Sequence, residues 1–168
     1  MSLLSDSSVN CDRSPCRYAL RVTDQREPPT PERSLILVKP DGVRRGYVGE
    51  VVRRIEGKGY RLVALELRFA TAQLLAEHYA EHVGKAFYDP LVEFMRSGPV
   101  VAVVVEGQRA VEGFRSLAGA TDPTVAAPGT IRGDLGRDWG EAVVQNLVHG
   151  SDSAESAARE IALWFPSL

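Results

Sequence analysis

The sequence predicts an α+β domain of the ferredoxin-like type, a β-α-β-β-α-β sandwich whose antiparallel four-stranded sheet is covered by helices. Three observations carry this. Strand-like apolar or alternating runs recur four times. Helical stripes separate them in the order β-α-β-(αα)-β-α-β. And 168 residues, 44% hydrophobic and 25% charged, suffice for one core without disulfides or metal. Helices on one face of the sheet satisfy this order.

Residues 1–31 stand apart. They are rich in Ser, Asp, Arg and Pro, end in Pro28-Pro29-Thr30-Pro31, and hold no apolar period beyond Tyr18-Ala19-Leu20-Arg21-Val22. We expect a disordered N-terminal tail there and the folded domain over 32–168. Val22 is a candidate alternative start, which would shorten the tail. Ser34–Lys39 is a short apolar strand closed by a Pro40-Asp41-Gly42 turn. Val48–Lys58 places Val48, Val51, Val52 and Ile55 on one helical stripe, and Gly59 stops it. Tyr60–Phe69 alternates Leu62, Ala64, Glu66 and Arg68 with Val63, Leu65, Leu67 and Phe69, the period of a strand. Thr71 caps a helix to about His82, and Pro90–Arg96 is a second, short one. Pro99–Glu106 holds the unbroken apolar run of a buried central strand. Arg109–Leu117 is helical. Gly119–Gly140 is a long segment dense in Gly, Pro, Asp and Thr, a length that points to function or disorder. Val143–His149 is the last strand, and Asp152, Ser153, Ala154 and Glu155 form a capping-box pattern opening a helix to about Phe165.

Net charge is −2, so no broad basic field argues for nucleic acid or an anionic membrane, and any anion site must be local. No run reaches the ~18 apolar residues of a membrane span, and the N-terminus lacks a basic n-region and apolar core. Cys11 and Cys16 have no second Cys or His cluster to complete a zinc site; exposed free thiols, a disulfide or a regulatory pair stay open. These features favour the cytoplasm.

Neither G-x4-G-K-[ST] nor G-x-G-x-x-G occurs, so phosphates would have to be held by side chains. Candidates are Lys39 at the end of the first strand, Arg115 on a helix, Thr121 and Arg132 in the long segment, and His149. By itself His149 reads as a partly buried, hydrogen-bonded histidine at a strand end. Gly150 beside it permits a sharp turn, and Ser151 with the acidic residues of the next helix can fix its tautomer. A histidine's ordinary pKa near 6.5 leaves imidazole mostly neutral at pH 7, a competent nucleophile toward phosphorus. His78 and His82 share a helix face but lack a third metal ligand.

Asn146-Leu147-Val148-His149-Gly150-Ser151-Asp152-Ser153 matches the N-x-x-H-G-S-D-S signature of nucleoside diphosphate kinases. Further blocks agree in order and spacing: Glu32 to Val43 around Lys39-Pro40-Asp41-Gly42, His78-Tyr79, Ser97-Gly98-Pro99, Thr121-Asp122-Pro123 and Pro128 to Asp134. The chain therefore resembles that family from residue 32 to its end. The resemblance implies transfer of the γ-phosphate of a nucleoside triphosphate to a nucleoside diphosphate, in ping-pong fashion, through a phosphohistidine.

It implies that His149 is the nucleophile, through Nδ1, and that Lys39 meets the sugar hydroxyl and γ-phosphate. Tyr79 and His82 would lie beside the phosphates, gripped by Arg115, Thr121 and Arg132, while His78 is structural. Asn146 would bind the ribose 3′-hydroxyl, and Ser151 and Glu160 would hold His149. Phe87 and Leu91 would form the apolar slot for the base, unless both are simply core residues of a short helix, and Val143 would face them. It further implies ATP and other nucleotides as partners, Mg²⁺ held mainly by nucleotide phosphates rather than protein side chains, and a homo-oligomer, tetramer or hexamer. The chain departs from the family in segment 135–145, between Asp134 and Asn146, which is longer than usual and contains Gly136-Arg137-Asp138-Trp139-Gly140. That leaves base contacts and assembly in doubt, with Trp139 free to pack on a neighbour or rim the base slot. The chain also stops shortly after Trp164-Phe165, without the extension of some relatives.

Overall fold

A computed structural model describes residues 30–141 and 143–168. The tail expected before residue 30, with Val22, Cys11 and Cys16, lies outside the described residues. Strands β1 (Glu32–Val38), β2 (Arg61–Arg68), β3 (Val100–Gly107) and β4 (Val148–Gly150) form one antiparallel sheet in the order β2-β3-β1-β4. Ile36, Leu37 and Val38 of β1 pair with Gly150, His149 and Val148, which hangs the candidate nucleophile on a central strand.

Both faces of the sheet are covered, a correction to the one-sided arrangement. Leu35, Ile36, Leu37 and Val38 are consecutive and all fully buried, as is the Val100 to Val105 run within 3%. A strand whose successive side chains are all apolar needs cover on both sides. Helices α2 (Val48–Gly57) and α5 (Ala110–Ala118) pack Val51, Ile55 and Phe114 on one face. Helices α3 (Ala72–His78), α4 (Tyr88–Arg96) and α7 (Ala154–Trp164) pack Leu75, Met95 and Trp164 on the other. Edge strand β2 is different: its Leu65 and Leu67 stay exposed, as does Phe69 just beyond it, by 73%.

Several boundaries move for local reasons. Pro40-Asp41-Gly42 opens a short helix, α1 (Pro40–Arg44), rather than a turn, with proline in the first turn where its missing N–H costs nothing. Thr71 caps α3 as expected, its side chain accepting from Leu74 N, but α3 ends at His78 and Ala80–His82 is a separate 3-10 turn. The capping box sits one residue later: Ser153 and Ser156 exchange side-chain and backbone hydrogen bonds. Within 119–140 a short helix α6 (Ile131–Leu135) forms, capped by Thr130 through Gly133 N. The last strand is shorter than Val143–His149 because Leu147 adopts φ 69, a left-handed conformation that no extended strand tolerates. No helix among the described residues is long and apolar enough to cross a membrane.

Candidate active site

Leu147 is held in its strained conformation from both sides. Its N–H donates to the buried Asp41 carboxylate (3.0 Å), and its carbonyl accepts from Lys39 N (2.8 Å). The pairing joins α1 to the residues just before β4, so Lys39 and Asn146 come side by side. Lys39 Nζ donates to Asn146 Oδ1 at 2.7 Å, and Asn146 Nδ2 donates to Thr121 O at 2.7 Å. Burial, and secondly the Arg132 charge, push the Lys39 ammonium down to about 8, against the opposing pull of Asp41.

Arg132 projects from α6 across the same backbone. Its guanidinium donates to the carbonyls of Asn146 (3.2 Å), Gly119 (2.8 Å) and Val148 (2.7 Å). Arginine has five N–H donors, so two remain for a ligand. Burial and the neighbouring Arg115 charge lower Arg132 to about 10, which leaves it cationic at neutral pH.

His149 stands at the floor of this cationic cleft. Its Nε2 lies 3.3 Å from Glu160 Oε1 and 3.4 Å from Oε2. Ser151 Oγ donates to Glu160 Oε2 at 2.6 Å, and Leu35 N donates to Ser151 Oγ at 3.1 Å. Burial raises Glu160, but its hydrogen bond and attraction to His149, with the Ser151 bond, outweigh that and hold its carboxyl below the ordinary value. With Nε2 occupied by the carboxylate, the free lone pair of a neutral His149 is on Nδ1. Gly150 serves differently from the expectation. It has no left-handed φ; instead a Cβ there would sit 2.4 Å from the Phe114 ring, so its role is close packing.

A cleft of about 420 Å³ gathers Lys39, Tyr79, His82, Phe87, Leu91, Arg115, Thr121, Arg132, Asn146, His149 and Glu160. Tyr79 stacks on His82 at 5.9 Å, and His82 meets Phe87 edge-on at 5.3 Å, an aromatic wall along one side. Burial pushes the Tyr79 phenol well above its ordinary pKa. Phe87 is exposed and so is not a core residue, whereas Leu91 both lines the cleft and packs against the core. Ser151 lies behind Glu160 rather than in the cleft.

Val143 is the exception. It lines a separate cleft with Arg44, Pro90, Phe94 and Gln145, so it does not face Phe87. Arg132 and Asp41 pin Asn146 to Val148, while the preceding residues turn toward α1, where Arg44 donates to Gln145. Trp139 is exposed with the Arg137 guanidinium 5.2 Å over its ring, and it does not rim the nucleotide-sized cleft. Among the described residues, one trio has metal-ligating atoms within 4.8 Å of one another: His78, His149 and Glu160. The His149 and Glu160 atoms are already hydrogen-bonded to one another, Glu160 also accepts from Ser151, and His78 Nδ1 accepts from Trp164.

The family model for nucleoside diphosphate kinase matches residues 32–168, the whole of the described domain from β1 onward. The chain belongs to the nucleoside diphosphate kinase family. It is 66% identical over 138 residues to the nucleoside diphosphate kinase of Saccharopolyspora erythraea, covering 82% of this chain and 98% of that one. It is 61% identical over 137 residues to that of Thermobifida fusca, with coverage of 82% and 98%. Among solved structures, the nucleoside diphosphate kinase of Halobacterium salinarum in complex with CDP is 51% identical, with a TM-score of 0.75 over 80% of this chain and 87% of that one. Like the family, the chain transfers phosphate between nucleotides through a phosphohistidine.

Two contributors escaped the sequence reading. Asp41 was legible only as part of a Pro-Asp-Gly turn, and its partner Leu147 is 106 residues away. Phe114 appeared only as one apolar residue on a helix, yet it lines the cleft and forces glycine at 150.

Proposed function

We propose that His149 carries the phosphoryl group in this member of the nucleoside diphosphate kinase family, with Nδ1 as the nucleophilic atom. The observation that carries this is the Glu160 carboxylate on Nε2, at the floor of a cleft lined by Lys39, Arg115 and Arg132. The Nδ1 lone pair attacks the γ-phosphorus of a nucleoside triphosphate. The bond from γ-phosphorus to the bridging oxygen breaks, and the nucleoside diphosphate leaves with that oxygen. A second diphosphate then takes the phosphoryl group from His149 by the reverse displacement. One cleft serves both nucleotides in turn, so the kinetics are ping-pong.

Such transfer needs an in-line nucleophile and preorganised positive charge. Lys39 and the two free N–H groups of Arg132 are held by carbonyl and amide contacts before substrate arrives, and Arg115 and Thr121 stand beside them. Arginine suits the phosphoryl oxygens through its fork of donors. Asn146, fixed by Lys39 and Thr121, is assigned to the ribose hydroxyl through its remaining N–H. Phe87 and Leu91 hold the base by contact and stacking, a mode tolerant of base identity. The Halobacterium salinarum relative is in complex with CDP, which supports nucleotide binding by this chain.

Mg²⁺ fits this cleft only as a companion of the nucleotide, because three cations line it and Glu160 is committed to His149 and Ser151. When bound it would neutralise phosphate charge, and of the other carboxylates lining the cleft Asp152 already accepts from Ser156 Oγ and Glu81 pairs with Arg159. We further assign a homo-oligomer, tetramer or hexamer, whose contact includes the exposed Leu65 and Leu67 of edge strand β2 and Phe69 just beyond it. The cytoplasm, where nucleotide pools lie, is the assigned location, and residues 1–31 are assigned to a tail outside the domain.

The test is labelling with γ-labelled ATP and Mg²⁺ followed by an alkaline quench. Acid-labile, alkali-stable label on His149, chased off by GDP and absent from His149→Ala, is the expected result. Full turnover by His149→Ala overturns the mechanism.

A further inference from the structure

We propose that Trp164 and His78 form a tautomer lock that reserves the Glu160 carboxylate for His149. The inference rests on the phosphohistidine reading and adds two positioning residues to it. Two imidazoles approach one carboxylate oxygen: His149 Nε2 lies 3.3 Å from Glu160 Oε1, and His78 Nδ1 lies 3.9 Å from the same atom. A proton on His78 Nδ1 would make it a rival donor.

The Trp164 indole prevents this. Its Nε1 lies 3.3 Å from His78 Nδ1, and both side chains are buried. An indole N–H can only donate, so His78 Nδ1 must accept, and the proton of a neutral His78 is confined to Nε2. Neutrality is enforced by burial first and by the His149 charge second. Together they push His78 down to about 3, against the pull of Glu160, with Arg159 and Lys39 adding to the lowering. Among the described residues His78 Nε2 is itself buried without a hydrogen-bond partner, in a ring cluster with Tyr79 and His149. An orphaned donor is unfavourable, and it persists here because the alternative tautomer would orphan the Trp164 N–H instead.

The lock acts on His149 through Glu160. With His78 unable to donate, the carboxylate accepts among the described residues only from His149 Nε2 and Ser151 Oγ. That keeps the His149 lone pair on Nδ1 and the ring oriented. His78 also packs edge-on against His149, with centroids 4.7 Å apart at 75°, so a tautomer change in one ring is felt directly by the other.

The test uses Trp164→Phe, which removes the N–H and keeps an aromatic ring. Long-range nitrogen–proton spectra of unphosphorylated, ¹⁵N-histidine-labelled protein should show His78 protonated on Nε2 in the wild type and on Nδ1 in Trp164→Phe. The single-turnover rate of histidine phosphorylation should fall on the order of fivefold to tenfold, the loss of one hydrogen bond, with nucleotide KM nearly unchanged. Adding His78→Phe removes the rival and should restore most of that rate, whereas a packing role predicts that the two losses accumulate. A wild-type His78 protonated on Nδ1, or a double variant no faster than Trp164→Phe, overturns the proposal. Should Trp164→Phe not fold, the wild-type spectrum alone decides. That spectrum is read before any phosphorylation, so it stands whether or not His149 accepts label.

Discussion

Asp41 performs two separable tasks, and two substitutions pull them apart. Its Oδ2 accepts from the Leu147 N–H at 3.0 Å in a fully buried setting, and its charge is the one influence raising the pKa of Lys39. Asp41→Ala removes the acceptor and leaves a buried N–H next to a left-handed leucine. A hydrogen bond to a charged group of this kind contributes about 2–3 kcal/mol, which for a chain of this size is roughly 5–10 °C in Tm. Asp41→Asn keeps an oxygen for Leu147 and removes the charge, its NH2 taking the place of the buried, unpartnered Oδ1, so it should cost less stability than Asp41→Ala. Its effect appears at Lys39, already lowered to about 8, which then loses its proton at still lower pH. The alkaline limb of histidine phosphorylation, followed by single-turnover labelling across the neutral to alkaline range, should move toward acid in Asp41→Asn. Stability moves the other way. The folded Lys39 binds its proton more weakly than the unfolded one, whose value is 10.5, so the unfolded state holds more protons between about 8 and 10.5. The contribution of this group to stability therefore rises with pH through that window while activity falls. An Asp41→Ala protein melting within ~2 °C of wild type, or coincident alkaline limbs for Asp41→Asn and wild type, would refute the reasoning.

Three other outcomes follow from the same geometry. Gly150→Ala places a Cβ 2.4 Å and 2.6 Å from two carbons of the fully buried Phe114 ring. It should lower stability by about 1–3 kcal/mol and slow labelling, and Phe114→Leu in that background should recover part of both; an unchanged Tm would sink this account. Ser151→Ala removes one of the bonds that lower the Glu160 pKa, so the carboxyl rises and the acid limb of the labelling rate should move to higher pH. An unmoved limb would show that Ser151 does not act through Glu160. His78 is near 3 when folded against 6.5 when unfolded, so the unfolded state holds the extra proton between these values. Stability should fall as pH drops from 6.5 toward 3, by on the order of 5 kcal/mol from this group, and urea melts should show a shallower pH slope in His78→Phe.

Much of the molecule was readable along the chain. The apolar runs at Ser34–Lys39 and Pro99–Glu106, the helical stripe of Val51 and Ile55, and the Thr71 cap are local patterns with local causes, and the structure has each element in place. The histidine signature and the scattered Lys39, Arg115, Thr121, Arg132 and Asn146 marked the members of one site through resemblance, and all of them line one cleft. What failed were readings that depend on a distant partner. Gly150 looked like a turn glycine because the chain does not reveal that Phe114 lies against it. Val143 looked like a base contact because its sequence position is right, yet the contacts that pin Asn146 to Val148 send the preceding residues to the other cleft.

His149 itself divides along the same line. The sequence put a histidine before Gly150 and Ser151 at the end of the last strand, and the resemblance implied several cations around it. The resemblance implied Nδ1 without giving a reason, and the tertiary structure supplies one, because Glu160 from α7 reaches Nε2 while Trp164 and His78 stand beside it. A proton's position on an imidazole is set by the groups that surround the ring, and those groups meet only when helix and sheet pack together.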